Sequence, residues 1–108
     1  MSDKITELDS SNFEAVISAG SAPVVVDFWA PWCGPCQMLG PVLEELSGEL
    51  AAGAKIVKVN VDEDSEIASQ YGVMSIPALK IFKGGEVVDE AVGVKPKEDL
   101  LELIERNR

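Results

Sequence analysis

Apolar residues along the chain form alternating strand-like and helix-like patterns. Residues 24–30 are apolar on both faces except at Asp27, which is typical of a central strand covered by helices on both sides. Residues 56–61 form a second such run, interrupted by Lys58. Between the two runs, residues 37–50 place leucines and a valine at helical spacing, with glutamates on the opposite face. The run at 24–30, apolar on both faces, predicts a central strand with parallel neighbours.

The remaining segments predict further strands and helices, and the order of elements along the chain becomes βαβαβαββα. In chain order they are a short edge strand at 5–8, a helix begun by a capping box at 11–14, a short helix at 64–71, a strand at 76–82, a hairpin turn at Gly84-Gly85, a returning strand at 86–92, and a last helix begun by Pro96. With no repeat or linker, residues 1–108 are predicted to form one domain.

Charge and composition exclude several classes of function. Nine basic and nineteen acidic side chains give a net charge of −10, which repels nucleic acid and anionic membrane surfaces. No apolar run approaches the ~18 residues of a membrane span. The absence of histidine excludes Cys–His proteolysis, the Ser-His-Asp triad and every zinc site that contains histidine. The polar start of the chain carries no secretory signal, so a cytoplasmic location is expected, unless a signal has already been removed.

The only two cysteines lie three residues apart, between the predicted strand at 24–30 and the predicted helix at 37–50, in the string Trp32-Cys33-Gly34-Pro35-Cys36. At the start of a helix, free N–H groups and the positive end of the helix dipole favour a thiolate. Two cysteines at this spacing can also close a disulfide ring, so the motif indicates reversible two-electron chemistry. A permanently closed structural disulfide and a zinc site completed by two carboxylates are the alternatives.

Several longer strings occur in this order of elements: Phe28-Trp29-Ala30-Pro31-Trp32-Cys33-Gly34-Pro35-Cys36, Val59-Asn60-Val61-Asp62, Tyr71-Gly72-Val73, Ile76-Pro77, Phe82-Lys83-Gly84-Gly85-Glu86 and Gly93. They make the chain resemble the thioredoxin family over essentially its whole length. The resemblance implies an α/β fold with a mixed five-stranded sheet flanked by four helices. It also implies a monomeric general protein disulfide reductase with no bound cofactor and a redox-active disulfide. Its expected partners are a thioredoxin reductase and disulfide-containing clients, including reductases and peroxidases.

The two cysteines are expected to have different roles. Cys33 is the predicted nucleophile, because it stands first at the helix terminus and is expected to be the more accessible. Cys36 lies about one turn further on and is the predicted resolving thiol, placed to attack a mixed disulfide from within. Gly34 and Pro35 are expected to stiffen the segment between the thiols, and Pro35 also suits a first helical turn.

Asp27 is the one carboxylate in an apolar strand, and burying an unpaired carboxylate costs several kcal/mol. The residue pattern alone allows a structural pair between Asp27 and Lys58. The resemblance instead implies that Asp27 takes the proton of Cys36 through water, with the charge of Lys58 modulating it. Burial raises the pKa of an acid and suits that role, whereas Lys58 acts in the opposite direction.

The resemblance further implies a cis bond at Ile76-Pro77 beside the thiols, with the backbone of Ile76 free to pair with an extended client segment. A plain turn before a strand is the alternative. An apolar rim around Cys33 is expected to bind the client, and its members would be Trp32, Met74, Ile76, Pro77, Val92 and Gly93.

Four residues depart from the family pattern. Gln37 replaces a basic residue, Met74 a polar or charged one, Ala78 a threonine and Lys80 an apolar strand residue. The first two bear on partner recognition. An unbroken hairpin at Gly84-Gly85 would place Lys80 opposite Asp89, so we expect an ion pair between Lys80 and Asp89 or a nearby acid.

Two rival functions keep the fold but change the activity. One is a binding module used for its surface within a larger assembly, which would survive replacement of both cysteines by serine. The other is a disulfide oxidant or isomerase of an oxidising compartment. The Gly34-Pro35 pair and the missing signal argue against the second rival.

Overall fold

The computed structural model describes residues 5–50 and 54–108. Its strands are β1 (Thr6–Leu8), β2 (Val24–Trp29), β3 (Lys55–Asn60), β4 (Ala78–Lys83) and β5 (Glu86–Val92). Its helices are α1 (Phe13–Ile17), α2 (Gly34–Ser47), α3 (Ser65–Gln70) and α4 (Lys97–Glu105). Their order along the chain is the predicted βαβαβαββα.

The five strands form one mixed sheet in the order β1-β3-β2-β4-β5. β3 runs parallel to both β1 and β2, whereas β4 runs antiparallel to β2 and to β5. The prediction of parallel neighbours for the central strand is therefore right for β3 and wrong for β4. β2 therefore lies at the centre of the sheet, and the cysteine motif follows directly after this central strand. The predicted five-stranded mixed sheet with four helices is confirmed.

Two hydrophobic clusters cover the two faces of this sheet. On one face, Phe13 of α1 and Ile67 of α3 pack against the strands. On the other face, Leu43 of α2 and Leu100 of α4 belong to the second cluster. Successive residues of β2 alternate between the clusters, as the pleat of a strand requires. Each face is thus covered by two helices, which explains why β2 is apolar on both sides.

The first helix begins differently from the prediction. The expected capping box at 11–14 is absent, because α1 has Asn12 at its N-cap and no side-chain bond to the helix. The side chain of Asn12 instead accepts a hydrogen bond from the backbone N–H of Asp9 at 2.8 Å. Asp9 in turn accepts from the backbone N–H of Ser11. A local turn therefore uses the side chain of Asn12, which the sequence pattern assigned to the start of the helix.

The hairpin between β4 and β5 is tight at its turn and irregular further on. Gly84 and Gly85 have φ of 60° and 87°, a conformation that glycine adopts without steric cost. Lys83 pairs with Glu86 as predicted, but the register shifts between Ile81 and Phe82.

Beyond this bulge Lys80 lies opposite Glu90, and the predicted pairing with Asp89 is wrong by one residue. The ammonium of Lys80 binds Glu90, which is the nearby acid allowed by the prediction. Asp89 instead accepts hydrogen bonds from Arg106 and Asn107, both at 2.9 Å.

Candidate active site

The two cysteines form a disulfide at the start of α2, with their Cα atoms 5.2 Å apart. Cys33 is the N-cap residue, with extended backbone angles of φ −86° and ψ 111°. Its sulfur accepts a hydrogen bond from the backbone N–H of Cys36 at 3.2 Å. Gly34 and Pro35 occupy the first turn between them, where proline leaves no helical hydrogen bond unmade. The helix terminus thus donates directly to the sulfur that stands first in the motif.

The two cysteine residues are equally buried in this disulfide form, with 4% and 5% of their surface exposed. The expected difference in accessibility between Cys33 and Cys36 is therefore not present here. Both pack with Ala30, and Val61 and Ile76 lie against this small cluster. The two sulfurs differ in hydrogen bonding, because the helix N–H is directed at Cys33.

The loop before β4 approaches the disulfide from the opposite side. The Ile76-Pro77 peptide bond is cis. The carbonyl oxygen of Ile76 lies 3.9 Å from the sulfur of Cys33. The carbonyl of Pro77 accepts a hydrogen bond from the N–H of Gly93 at 2.8 Å. This bond brings Gly93, which follows the end of β5, to the loop beside the cysteines.

Several of the expected rim residues are exposed. Trp32 is 70% exposed, Met74 95% and Val92 52%. Trp32 and Met74 line one pocket of about 180 Å³, together with Ile76. Val92 is not among the residues that line this pocket. The indole N–H of Trp32 donates to Asp62 at 2.8 Å, which fixes the ring over the surface.

Asp27 lies below the disulfide in a water-accessible cleft. The residue is 5% exposed, and its Oδ1 has no hydrogen-bond partner among the described residues. Burial raises the pKa of Asp27 to about 7, and the positive charge of Lys58 acts against this rise. The cleft has a volume of about 400 Å³ and is lined by both Asp27 and Cys36. It therefore offers a path between the carboxylate and the second cysteine.

Lys58 faces Asp27 across the sheet but forms no ion pair among the described residues. Its ammonium lies 4.2 Å from the centroid of the Trp29 ring, in a cation–π contact. The indole N–H of Trp29 donates to Glu7 of β1 at 3.1 Å. The structural pair of Asp27 and Lys58, which the residue pattern left open as an alternative, does not form among the described residues, and Lys58 contacts an aromatic ring instead.

Sequence reasoning missed Glu7, Trp29 and Asp62 as parts of this region. Trp29 lies two residues after Asp27 and therefore on the same face of β2, a signal that the alternation of strand residues contains. Glu7 and Asp62 carry no comparable signal, because their positions depend on strand register and on the loop after β3.

Gln37, which departs from the family pattern, has a local hydrogen-bond partner, since its amide donates to the carbonyl of Pro31 at 3.2 Å.

Within residues 5–50 and 54–108, no group of three or more acidic or cysteine side chains is arranged to hold a metal ion. In the same residues, no helix is sufficiently long and apolar to cross a membrane.

Comparisons with known proteins agree on one family. The family model described as Thioredoxin matches residues 4–106. Thioredoxin of Bacillus subtilis (strain 168) is 53% identical over 103 residues, which cover 95% of this chain and 97% of that protein. Thioredoxin 2 of Chlorobaculum tepidum is 54% identical over 97 residues, covering 90% of this chain and 89% of that protein. A solved structure, a mutant thioredoxin from Halobacterium salinarum NRC-1, has a TM-score of 0.87 and 38% identity, covering 99% of this chain and 94% of that one.

Proposed function

Because the chain belongs to the thioredoxin family, whose members are thiol-disulfide oxidoreductases, we propose that it is a general protein disulfide reductase. The observation that carries this proposal is the Cys33–Cys36 disulfide at the start of α2, packed against Ile76, which lines a pocket with the exposed side chains of Trp32 and Met74. In the reaction, the dithiol form gives two electrons and two protons to a client disulfide. The client leaves as a dithiol, and the Cys33–Cys36 disulfide forms again.

Cys33 is the proposed nucleophile. The N–H that donates to its sulfur in the disulfide form supports a thiolate at the same position in the dithiol form. This thiolate attacks one sulfur of the client disulfide, and the other client sulfur leaves. Cys36, one turn along α2, then attacks the sulfur of Cys33 and releases the second client thiol. Gly34 and Pro35 keep the two thiols within reach by restricting the chain between them.

Asp27 is the proposed proton acceptor for Cys36. A carboxylate whose pKa is about 7 can take up and return a proton near neutral pH, whereas an ordinary aspartate cannot. The shared cleft supports proton transfer through water, since both residues line it. Lys58 is proposed to modulate this acceptor through its charge.

Client binding is assigned to the exposed rim formed by Trp32, Met74, Ile76, Pro77, Val92 and Gly93. An extended client segment beside the disulfide would pair with the backbone of Ile76, whose carbonyl already faces the sulfur of Cys33. The large apolar surfaces of Trp32 and Met74 would be covered by the client. Such contacts are independent of sequence detail, which suits a reductase with many clients.

We further propose that a thioredoxin reductase restores the dithiol and that the clients include reductases and peroxidases with exchangeable disulfides. The protein is proposed to act in the cytoplasm as a monomer, with residues 1–108 as one domain. Its acidic surface, with a net charge of −10, disfavours nucleic acid and anionic membranes as partners.

An insulin-reduction assay tests the proposal, with dithiothreitol as reductant in one arm and NADPH with thioredoxin reductase in the other. We expect acceleration in both arms, and none by the variant with Cys33→Ser and Cys36→Ser. No acceleration over dithiothreitol alone would overturn the reductase proposal. Activity with dithiothreitol but not with the reductase would overturn only the choice of electron source.

A further inference from the structure

We propose that Glu7 is a positioning residue for the redox site: it fixes the indole of Trp29, and the fixed ring holds the ammonium of Lys58 apart from Asp27. The inference rests on the proposed role of Asp27 as proton acceptor. It adds a residue from the edge strand of the sheet, remote in sequence from the cysteine motif.

Three neighbouring strands bring the charged groups into one row. Glu7 of β1 is the register partner of Lys58 of β3, and Lys58 is the register partner of Asp27 of β2. Directly paired residues of adjacent parallel strands project to the same face of a sheet. A lysine between two carboxylates would be expected to bind one of them, but Lys58 forms no ion pair among the described residues.

Trp29 explains where the ammonium goes instead. Its ring centroid lies 4.2 Å from the nitrogen of Lys58, and its N–H donates to Glu7 at 3.1 Å. The hydrogen bond engages one oxygen of the Glu7 carboxylate, and it fixes the ring that attracts the cation. Glu7 thus has two effects on Lys58. It holds the Trp29 ring in place, and its own carboxylate is already hydrogen-bonded to that ring.

The position of Lys58 affects the ionisation of Asp27. The Oδ1 atom of Asp27 is buried without a partner among the described residues. Attraction between unit charges strengthens as water is excluded, so an ammonium free to approach would favour the ionised carboxylate. The other titratable groups that line its cleft are Cys36 and Glu44 of α2, while its β4 neighbour Leu79 is apolar. Lys58 is therefore the one cationic side chain among the residues that line this cleft.

Two variants separate the hydrogen bond from the charge. Glu7→Gln keeps an oxygen that can accept from the indole but removes the negative charge. Glu7→Ala removes both. Glu7 is an exposed residue, so neither change is expected to prevent folding. Trp29→Phe tests the same connection from the other side, because it keeps a ring and loses the N–H donor.

The direct measurement is the titration of the Asp27 carboxyl carbon by NMR in the oxidised protein, where the cysteines do not titrate. We expect the midpoint to move to lower pH in Glu7→Ala and in Trp29→Phe, and to stay near the wild-type midpoint in Glu7→Gln. Asp62→Ala is the matched control, since it removes the acceptor of the other indole, that of Trp32. An unmoved midpoint in Glu7→Ala, or an equal shift in Glu7→Gln, would overturn the inference.

Kinetics distinguish this inference from the proposed function itself. In single-turnover reduction of a disulfide, we expect Glu7→Ala to raise the ratio of the rate at pH 6 to that at pH 8 about two-fold, as a modest fall in the pKa of the acceptor requires. If Asp27→Asn leaves the pH profile unchanged, the proton-acceptor role fails. If Asp27→Asn changes the profile but Glu7→Ala does not, the positioning role of Glu7 fails and the acceptor role stands.

Discussion

Lys80 and Glu90 form an ion pair across β4 and β5, with the nitrogen of Lys80 2.5 Å from an oxygen of Glu90. The side chain of Lys80 is 12% exposed and that of Glu90 59%. The exposed carboxylate thus pairs with the ammonium of a largely buried lysine. We expect a double-mutant cycle with Lys80→Met and Glu90→Gln to give a coupling of roughly 0.2–1 kcal/mol. Chemical denaturation at low and high salt measures it, and added salt should weaken the coupling.

The matched control is the same cycle with Asp89→Asn in place of Glu90→Gln. Asp89 is directed at Arg106 and Asn107, so its coupling to Lys80 should be close to zero. A stronger coupling of Lys80 to Asp89 than to Glu90 would contradict the bulged register.

This register marks one limit of sequence reasoning. The turn at Gly84-Gly85 and the pairing of Lys83 with Glu86 follow from local turn chemistry, which the sequence states directly. The bulge between Ile81 and Phe82 has no such signal, because it depends on how β5 packs and bends along the sheet. A single extra residue was enough to exchange Asp89 for Glu90 as the partner of Lys80.

In the reduced protein near neutral pH, Cys33 should react faster with iodoacetamide than Cys36. The physical reason is the helix N–H directed at the sulfur of Cys33, since the two residues do not differ in burial in the disulfide form. Peptide mass spectrometry over a time course measures the order of modification. The Cys36→Ser variant should also accumulate stable mixed disulfides with clients. Equal or faster modification of Cys36 would reverse the proposed roles.

Replacement of Asp27 by asparagine should make the protein more stable, by an amount that depends on pH. The pKa of Asp27 is about 7 in the folded protein and has an ordinary value of 3.8. Between these values the folded protein keeps a proton that the unfolded chain has lost, so wild-type stability falls as the pH rises from about 4 to about 7. The gain from Asp27→Asn should be small at pH 4 and on the order of 4 kcal/mol at pH 8.

Urea denaturation of both proteins across this range tests the dependence. Asp89→Asn is the control with the opposite sign, because hydrogen bonds from Arg106 and Asn107 lower the pKa of Asp89 to about 2. The stabilising contribution of the Asp89 carboxylate in the wild-type protein should be present above pH 4 and be lost as the pH falls toward 2. The same Asp27→Asn protein should reduce disulfides more slowly, and a fully active, less stable variant would favour a structural role for Asp27.

Replacement of Met74 by aspartate should weaken client reduction without affecting the cysteines. Met74 is 95% exposed and belongs to the proposed client-binding rim, and covering part of such a side chain contributes about 1 kcal/mol to a complex. We expect kcat/KM for insulin to fall about five-fold. The alkylation rate of Cys33 should stay unchanged. Val88→Asp, an equivalent change at a 45% exposed residue of β5 outside the rim, is the control. An equal loss in both variants would show a general effect of added negative charge.

The sequence predicts which residues form the site better than it predicts which of them contact each other. The cysteines, their helix start and the acid in β2 stand in one stretch of sequence, so local patterns locate them. The position of Lys58 over Trp29 instead depends on Glu7, which reaches the site through the register of a third strand. Contacts of that kind need the order of strands in the sheet, and the order β1-β3-β2 is set by long-range packing rather than by any single segment.

The two edges of the sheet bear on self-association. Unpaired strand edges are templates for aggregation, and long flat edges are the most dangerous ones. Here β1 is three residues long, and β5 combines a bulge with the exposed charges of Glu86 and Glu90. The net charge of −10 adds repulsion between copies. We therefore expect the protein to resist edge-to-edge aggregation at high concentration, even though large apolar side chains such as Trp32 and Met74 are exposed on its surface.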